Sequence, residues 1–451
     1  MDDIITATGA TDAEETAALP MSTRRRERFI PMTRFALLER LGQAEDCAVT
    51  RDPAWPTFVQ HLAAWRHLEY RDRLMRLKER YLPFSPDRDT VRVLTFSDEE
   101  MTRNRHDLVD EVAALLERAN YDRLTGADLE RLLDERSPYG LHLDVDLGEF
   151  DDILLFSRGS GTVTREHRDF KKLYLVKETV TVPVFQRLFL LAKLKPAATR
   201  IKEIMAEESL DEDKARKAVK QRRKHIPREA SSDFIYLKLF KNIPHSDLEM
   251  LFPNTKVAFK PLDKIRLSLT AGGGTAAGVF GTVTKLLAAA NPIAMGLALA
   301  GLVGVIFRQV MSFFNTRNHY MMVLAQNLYF HNLANNRGVL TLLADRAEEE
   351  DIKEDLLLYA FLAGNEIPAS EVEALKARAE QFVAGSCGAG VDFDIEDALG
   401  CLGRDGIVMR GEDGSLSALP PREALTVLRK HWESGLGPAR PSEAALNGEE
   451  V

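Results

Sequence analysis

A mainly helical α+β fold is the class this sequence predicts. It comprises a helical N-terminal region, a small antiparallel sheet, a two-helix transmembrane hairpin and a C-terminal winged-helix-like unit. Three observations predict it. Apolar residues recur at helical spacing through 28–136. Short β-branched runs separated by turn residues follow between 141 and 241. Then comes a stretch from Leu267 to Phe307 whose only charge is Lys285.

At 451 residues the chain is long enough for two or three folded units. The expected order is a disordered tail over 1–27, a helical region over 28–136 and an α+β region over 137–262. The hairpin follows over 263–316, then a helical region over 317–364, the winged-helix-like unit over 365–435 and a second tail over 436–451. Charged residues are 29% of the chain and the net charge is −9, which argues against a dedicated nucleic-acid binder. Cys47, Cys387 and Cys401 are odd in number and far apart, so they form neither a disulfide framework nor a zinc spacing. A reducing compartment fits them. The N-terminus opens acidic (Asp2, Asp3, Asp12, Glu14, Glu15) and lacks an apolar core, so no signal peptide is expected.

In the helical region Phe35, Leu37, Leu38 and Leu41 share one face. A longer helix over 57–82 places Phe58, Leu62, Trp65, Leu68 and Leu74 on a stripe, and 98–120 repeats the pattern through Leu108, Val112, Leu115 and Leu116. Thr125 and Asp128 have the spacing of a capping box for a helix over 126–135. Strands are expected at 153–157, 173–176, 179–184, 185–196 and 233–241, with Gly159-Ser160-Gly161 as a turn. Between them 203–228 opens acidic and turns basic. A solvated helix or loop explains it. Contact with anionic lipid headgroups through Lys214, Lys217, Lys220, Arg222 and Arg223 is the sharper reading.

The charge-poor stretch is long enough for two spans of about 20 residues each, at 267–288 and 292–313. Asn291-Pro292 supplies the turn between them. Gly274 and Gly278 have the GxxxG spacing, and Gly296, Gly301 and Gly304 answer on the second helix as close-packing positions. Lys264 and Arg266 before the hairpin and Arg308 after it would meet headgroups. By the positive-inside rule both flanks lie in the cytoplasm, with the anchor in a bacterial inner membrane. A hairpin buried in a soluble domain and a re-entrant hairpin remain alternatives.

Three stretches carry a family resemblance: 28–41 (RFIPMTRFALLERL), 240–257 (FKNIPHSDLEMLFPNTKV) and 327–362 (NLYFHNLANNRGVLTLLADRAEEEDIKEDLLLYAFL). Together they resemble the transmembrane protein 143-like family, whose shared region is a domain of unknown function numbered 3754. The resemblance implies a membrane protein with two adjacent spans and implies no activity. An acid often stands in that family where this chain has Asn242, so no chemistry is assigned there. In the third stretch Asn327, His331 and Asn335 would share one face of a helix leaving the membrane. Inter-helix hydrogen bonding explains them better than a ligand.

The C-terminal unit has a winged-helix rhythm. Helices are expected over 370–384 and 395–403, strands over 407–410 and 416–419, and a closing helix from Pro420 to Trp432. Acids outnumber bases by five across 369–435, so a protein partner is expected there rather than DNA. Familiar catalytic motifs fail. Ser157-Arg158-Gly159-Ser160-Gly161 lacks the G-x-S-x-G order, and Gly272-Gly273-Gly274 lacks the Gly-Lys-Ser/Thr of a phosphate loop. No histidine or cysteine spacing suggests a metal. No catalytic residue, cofactor or metal is assigned, and oligomeric state is not legible. The functional expectation is a membrane-anchored, non-catalytic interaction or scaffold protein touching membrane lipid and a protein partner through 365–435. A membrane-bound enzyme or lipid-handling protein is the alternative, and a membrane-tethered DNA-binding regulator stands third.

Overall fold

The computed structural model describes residues 26–87, 95–134, 142–144, 146–168, 177–227, 230–245, 248, 251–252, 256–258, 304, 307–308, 311 and 329–435. The described fold is mainly helical with a small antiparallel sheet. Its helices are α1 (Arg34–Gln43), α2 (Trp55–Tyr81), α3 (Asp98–Arg118), α4 (Gly126–Asp134), α5 (Ala197–Glu207), α6 (Glu212–Arg222), α7 (Arg337–Leu362), α8 (Val372–Cys387), α9 (Ile395–Arg404) and α10 (Pro421–Gly435). Its strands are β1 (Asp122–Arg123), β2 (His142–Asp144), β3 (Phe150–Arg168), β4 (Lys177–Leu194), β5 (Ile235–Pro244), β6 (Lys256–Ala258), β7 (Asn332–Asn335), β8 (Val408–Arg410) and β9 (Leu416–Ala418). Five strands form a sheet in the order β1-β3-β4-β5-β7, and β2–β6 and β8–β9 are separate antiparallel pairs.

The chain divides into two compact units. The first holds Met1–Arg123, Phe156–Gln186 and Asn336–Val451, and the second Leu124–Leu155 and Arg187–Asn335.

An apolar core in the first unit joins Leu37 and Leu41 of α1, Phe58 and Leu62 of α2, Leu356 and Tyr359 of α7, Leu375 of α8, Leu402 of α9, Leu416 of β9 and Leu428 of α10. Each helix has a local reason to begin or end where it does. Pro56 sits in the first turn of α2, where its missing N–H is harmless. Ser97 caps α3 in a reciprocal box, accepting from the Glu100 amide at 3.2 Å while Glu100 accepts from the Ser97 amide at 2.7 Å. Asp394 caps α9, and Gly388 ends α8 in the left-handed region at φ 70°. Residues 372–435 give helix, helix, hairpin, helix, close to the bounds the sequence predicts. Tyr359 at the core centre donates to the Leu419 carbonyl at 2.7 Å and stacks on Phe58 with ring centroids 4.4 Å apart. At the other end the Glu27 amide donates to Gly390 and the Asp392 amide donates back to Glu27, at 3.0 and 2.8 Å.

The second unit keeps the predicted cap of α4, with the Asp128 amide donating to Thr125 Oγ1 at 3.3 Å. Its helices α5 and α6 pack through Ile204, Ala215 and Val219. Asp211 starts α6 by accepting from the Lys214 amide at 2.8 Å.

Several expectations are corrected. Gly159-Ser160-Gly161 is no turn: β3 runs through it, with Gly159 at φ 73°. Gln186 of β4 reaches across to donate to the Ser160 carbonyl at 3.1 Å, and a Cβ at Gly159 would stand 2.6 Å from its Oε1. His331 and Asn335 do not share a helical face either: His331 is helical but Asn335 is in a strand, and Asn327 lies outside the described residues. β7 occupies 332–335 and pairs antiparallel with β5, and α7 begins only after Asn336 at φ 48°. A helical reading fails there because the β5 edge takes up the backbone.

The transmembrane hairpin, the membrane anchoring and the inner-membrane localisation are corrected as well. Among the described residues no helix is long and apolar enough to cross a membrane. Length is not what is missing: α2 has 27 residues and α7 has 26. Both carry a run of charge, from Arg66 onward in α2 and over Asp345–Asp355 in α7, which a lipid-facing helix does not tolerate. Most of 267–314, with Gly274, Gly278, Gly296, Gly301, Asn291 and Pro292, lies outside the described residues.

Candidate functional site

Within the first unit, α2 places Phe58, Leu62, Arg66 and Tyr70 at successive i, i+4 positions, so its buried stripe turns from apolar to charged halfway along. α7 does the same. Glu350, Asp351, Lys353, Glu354 and Asp355 are all buried beside Ile352, Leu356 and Leu357. Burying so many charges is costly unless each is paired, and the pairing is nearly complete.

Arg66 is 1% exposed and fully forked. Its Nε donates to Asp355 Oδ2 at 2.7 Å, Nη2 to Asp405 Oδ2 at 2.6 Å and Nη1 to Glu69 Oε2 at 2.7 Å. Asp405, just beyond α9, also accepts from Trp65 Nε1 at 3.1 Å. One turn along α2, the Tyr70 hydroxyl donates to Asp351 Oδ2 at 2.7 Å, and Arg118 Nη2 of α3 donates to the same oxygen at 2.9 Å. Arg118 Nη2 also lies 2.8 Å from Cys401 Sγ, and Arg404 Nη2 lies 3.4 Å from that sulfur. Asn120, at φ 58°, donates to the buried Glu354 at 2.6 Å. A neighbouring group joins Glu350, Lys353 and Arg158. Lys353 Nζ donates to the Ile30 carbonyl at 2.7 Å, and the Arg158 guanidinium lies 4.2 Å above the Phe29 ring.

Burial sets the protonation of this network. Burial pushes the Asp355 carboxyl up to about 7 despite Arg66. It works against the Arg66 charge too, but Asp355, Asp405 and Glu69 outweigh it and hold Arg66 above its ordinary value. The two shifts point opposite ways. One guanidinium shared by two buried carboxylates reconciles them: Arg66 stays charged, and the proton taken up near neutrality resides on Asp355. Asp355 Oδ1 fits this, being buried without a partner among the described residues. Burial also raises Asp351 and Glu354, lifts the Tyr70 phenol and pushes the Cys401 thiol up to about 12.

The network is sealed at Arg66 and opens at Asp351. A cleft of about 280 Å³ is lined there by Glu69, Tyr70, Asp72, Arg73, Arg76, Arg118, Asp351 and Arg404. Each lining carboxylate already has a cation: Glu69 has Arg66, Asp72 has Arg76 and Asp351 has Arg118. The arginines are less occupied. Arg73 has only Glu111 at 3.9 Å, Arg404 only the Cys401 sulfur, and Arg118 Nη1 no acceptor among the described residues. Perturbed ionisable groups at an open cleft mark a functional-site candidate.

The headgroup positions read from the sequence fall elsewhere. In the second unit Arg222 Nη1 donates to Asp146 at 3.1 Å, Arg223 Nε to the buried Glu149 at 2.7 Å, and Lys214 pairs with Asp211 at 3.2 Å. Lys217 and Lys220 are exposed on α6, without partners among the described residues. Arg308 is exposed, a Cβ on Gly304 would meet nothing within 4 Å, and Lys264 and Arg266 lie outside the described residues.

No residue of the cleft was singled out as a site from the sequence. One signal could have found them: the acids at 350, 351, 354 and 355 stand at helical spacing among apolar residues, and Arg66 and Tyr70 continue the stripe of Phe58 and Leu62.

Residues 153–338 match the family model of a protein of unknown function (DUF3754). No solved structure matches the chain. The cleft residues lie outside the matched span, so the match assigns them no role. What it establishes is that 153–338 carries a domain of unknown function.

Proposed function

We propose that the chain is a binding protein whose first unit holds a small polar ligand in the cleft between α2, α3, α7 and α9, without covalent chemistry. The observation that carries this is the division of labour among the lining groups. Those that could react are occupied: the Tyr70 phenol is raised and Asp351 already accepts from Tyr70 and Arg118, while the Cys401 thiol, buried behind the lining, is pushed up to about 12. What the cleft leaves available is guanidinium N–H, a recognition group. The test is a ligand-detected NMR screen of the full chain against small polar compounds, repeated with Arg404→Gln. Binders lost on substitution support the reading. A screen in which no binder depends on Arg404 contradicts it.

A second reading, a protein partner for 365–435, is favoured by the exposure of Glu371, Glu373, Glu412, Asp413 and Glu423. Charge reversal at Glu412 and Asp413 should then strip a partner from pull-downs of the full chain. An unchanged partner set argues against it. We also infer kinship to the transmembrane protein 143-like family from the resemblance of 28–41, 240–257 and 327–362. A structure of a member whose counterpart of α7 lacked buried charge would weaken that inference.

A further inference from the structure

We propose that the ligand of this cleft carries a phosphate group, as an inorganic ion or a small phosphomonoester, gripped by Arg73, Arg118 and Arg404. The inference rests on the binding reading above and names its chemistry. Four guanidinium groups line the cleft against three carboxylates, and all three carboxylates are already paired. The unspent donors are therefore cationic. They come from three different helices, α2, α3 and α9. A planar carboxylate is satisfied by one guanidinium fork, whereas a tetrahedral oxyanion offers oxygens in several directions and uses forks from several sides. Arg118 is the preorganised member. Asp351, 4% exposed, and Tyr70 fix its Nε and Nη2 edge and leave Nη1 unspent. Arg73 and Arg404 need surrender only a 3.9 Å ion pair and a 3.4 Å contact to sulfur. The volume, about 280 Å³, is just below the range of about 300–1,000 Å³ usual for drug-sized ligands, and so suits a small headgroup.

The test is calorimetric titration of the full chain at constant ionic strength with inorganic phosphate, glycerol phosphate, a short-chain phosphatidic acid, succinate and spermidine. The double variant Arg73→Gln/Arg404→Gln is run in parallel. Both side chains reach solvent, so the variant is expected to fold, and its circular dichroism is checked first. Saturable binding of phosphate or glycerol phosphate, weakened tenfold or more in the variant, is the expected result. Preference for the phosphatidic acid over glycerol phosphate would support the phosphate class and place its source in a lipid. Binding of succinate but not phosphate would overturn the phosphate class and leave the binding reading standing, whereas binding of spermidine alone would overturn both, because guanidinium groups do not grip a polycation. Phosphate binding unchanged in the variant would overturn the assignment to this cleft. No binding of any probe would overturn the phosphate class, and the binding reading would then be decided by the ligand screen with Arg404→Gln.

Discussion

Arg66 shows what a single side chain does here. Its three nitrogens serve Asp355, Asp405 and Glu69, so its removal strands two buried carboxylates. Arg66→Ala is expected to lose about 3–5 kcal/mol in chemical denaturation. Arg66→Met combined with Asp355→Leu should lose clearly less than the sum of the single changes, because of the two buried carboxylates only Asp405 then lacks its cation. Asp355 also makes stability depend on pH. Its folded-state carboxyl titrates near 7 and its unfolded one near the ordinary 3.8. The native state therefore holds the proton more tightly, and stability is full below the unfolded value and falls as pH rises through about 7. Asp351 and Glu354 push the same way. Urea midpoints should fall between about pH 5 and pH 8 in the natural chain, and fall less in Asp355→Asn. An identical slope in the variant would place the proton elsewhere. Little of this was legible beforehand. A charged residue on an amphipathic helix reads by default as solvated, and Arg66 sits beside Trp65, an equally good candidate for the stripe. Only the partner helices, 280 or more residues away in sequence, decide between them.

At the scale of elements the sequence was most informative where structure is local. The helices at 55–81, 98–118 and 126–134 follow from periodicity, and the cap of the last from Thr125 and Asp128, whereas the Ser97 cap was not singled out from the sequence. The sheet was less legible, because pairing is long-range. A Gly-Ser-Gly run reads as a turn until Gln186 of the neighbouring strand is seen holding it straight. Gly159 keeps its positive φ inside β3, so Gly159→Ala is expected to cost about 1–2 kcal/mol in denaturation. In the second unit Glu149, 1% exposed, accepts from Arg223 at 2.7 Å and pairs with Arg200 at 3.4 Å. Glu149→Ala should loosen α5 and α6 by about 1–3 kcal/mol, read as faster amide exchange over 197–222. Unchanged exchange would mean that Glu203 and Glu207 suffice to hold Arg200. Within the basic run at 214–223 the residues divide: Arg222 and Arg223 pair with Asp146 and Glu149, while Lys214, Lys217 and Lys220 stay exposed.

At the scale of the whole molecule, charge placement separates the two readings of the chain. From the sequence alone the charge-poor stretch from Leu267 dominates and points to a membrane anchor. Among the described residues no helix could cross a membrane, and the long helices put charge inside the protein. The cleft at the open end of that buried charge is the central claim. Hydrogen exchange of the full chain with and without saturating phosphate tests it most directly. The account predicts slowed exchange in α2 over 66–76, in α3 over 115–118 and in 401–405 together, with 197–222 unaffected. Exchange unchanged in all three segments, or slowed only outside them, would contradict it.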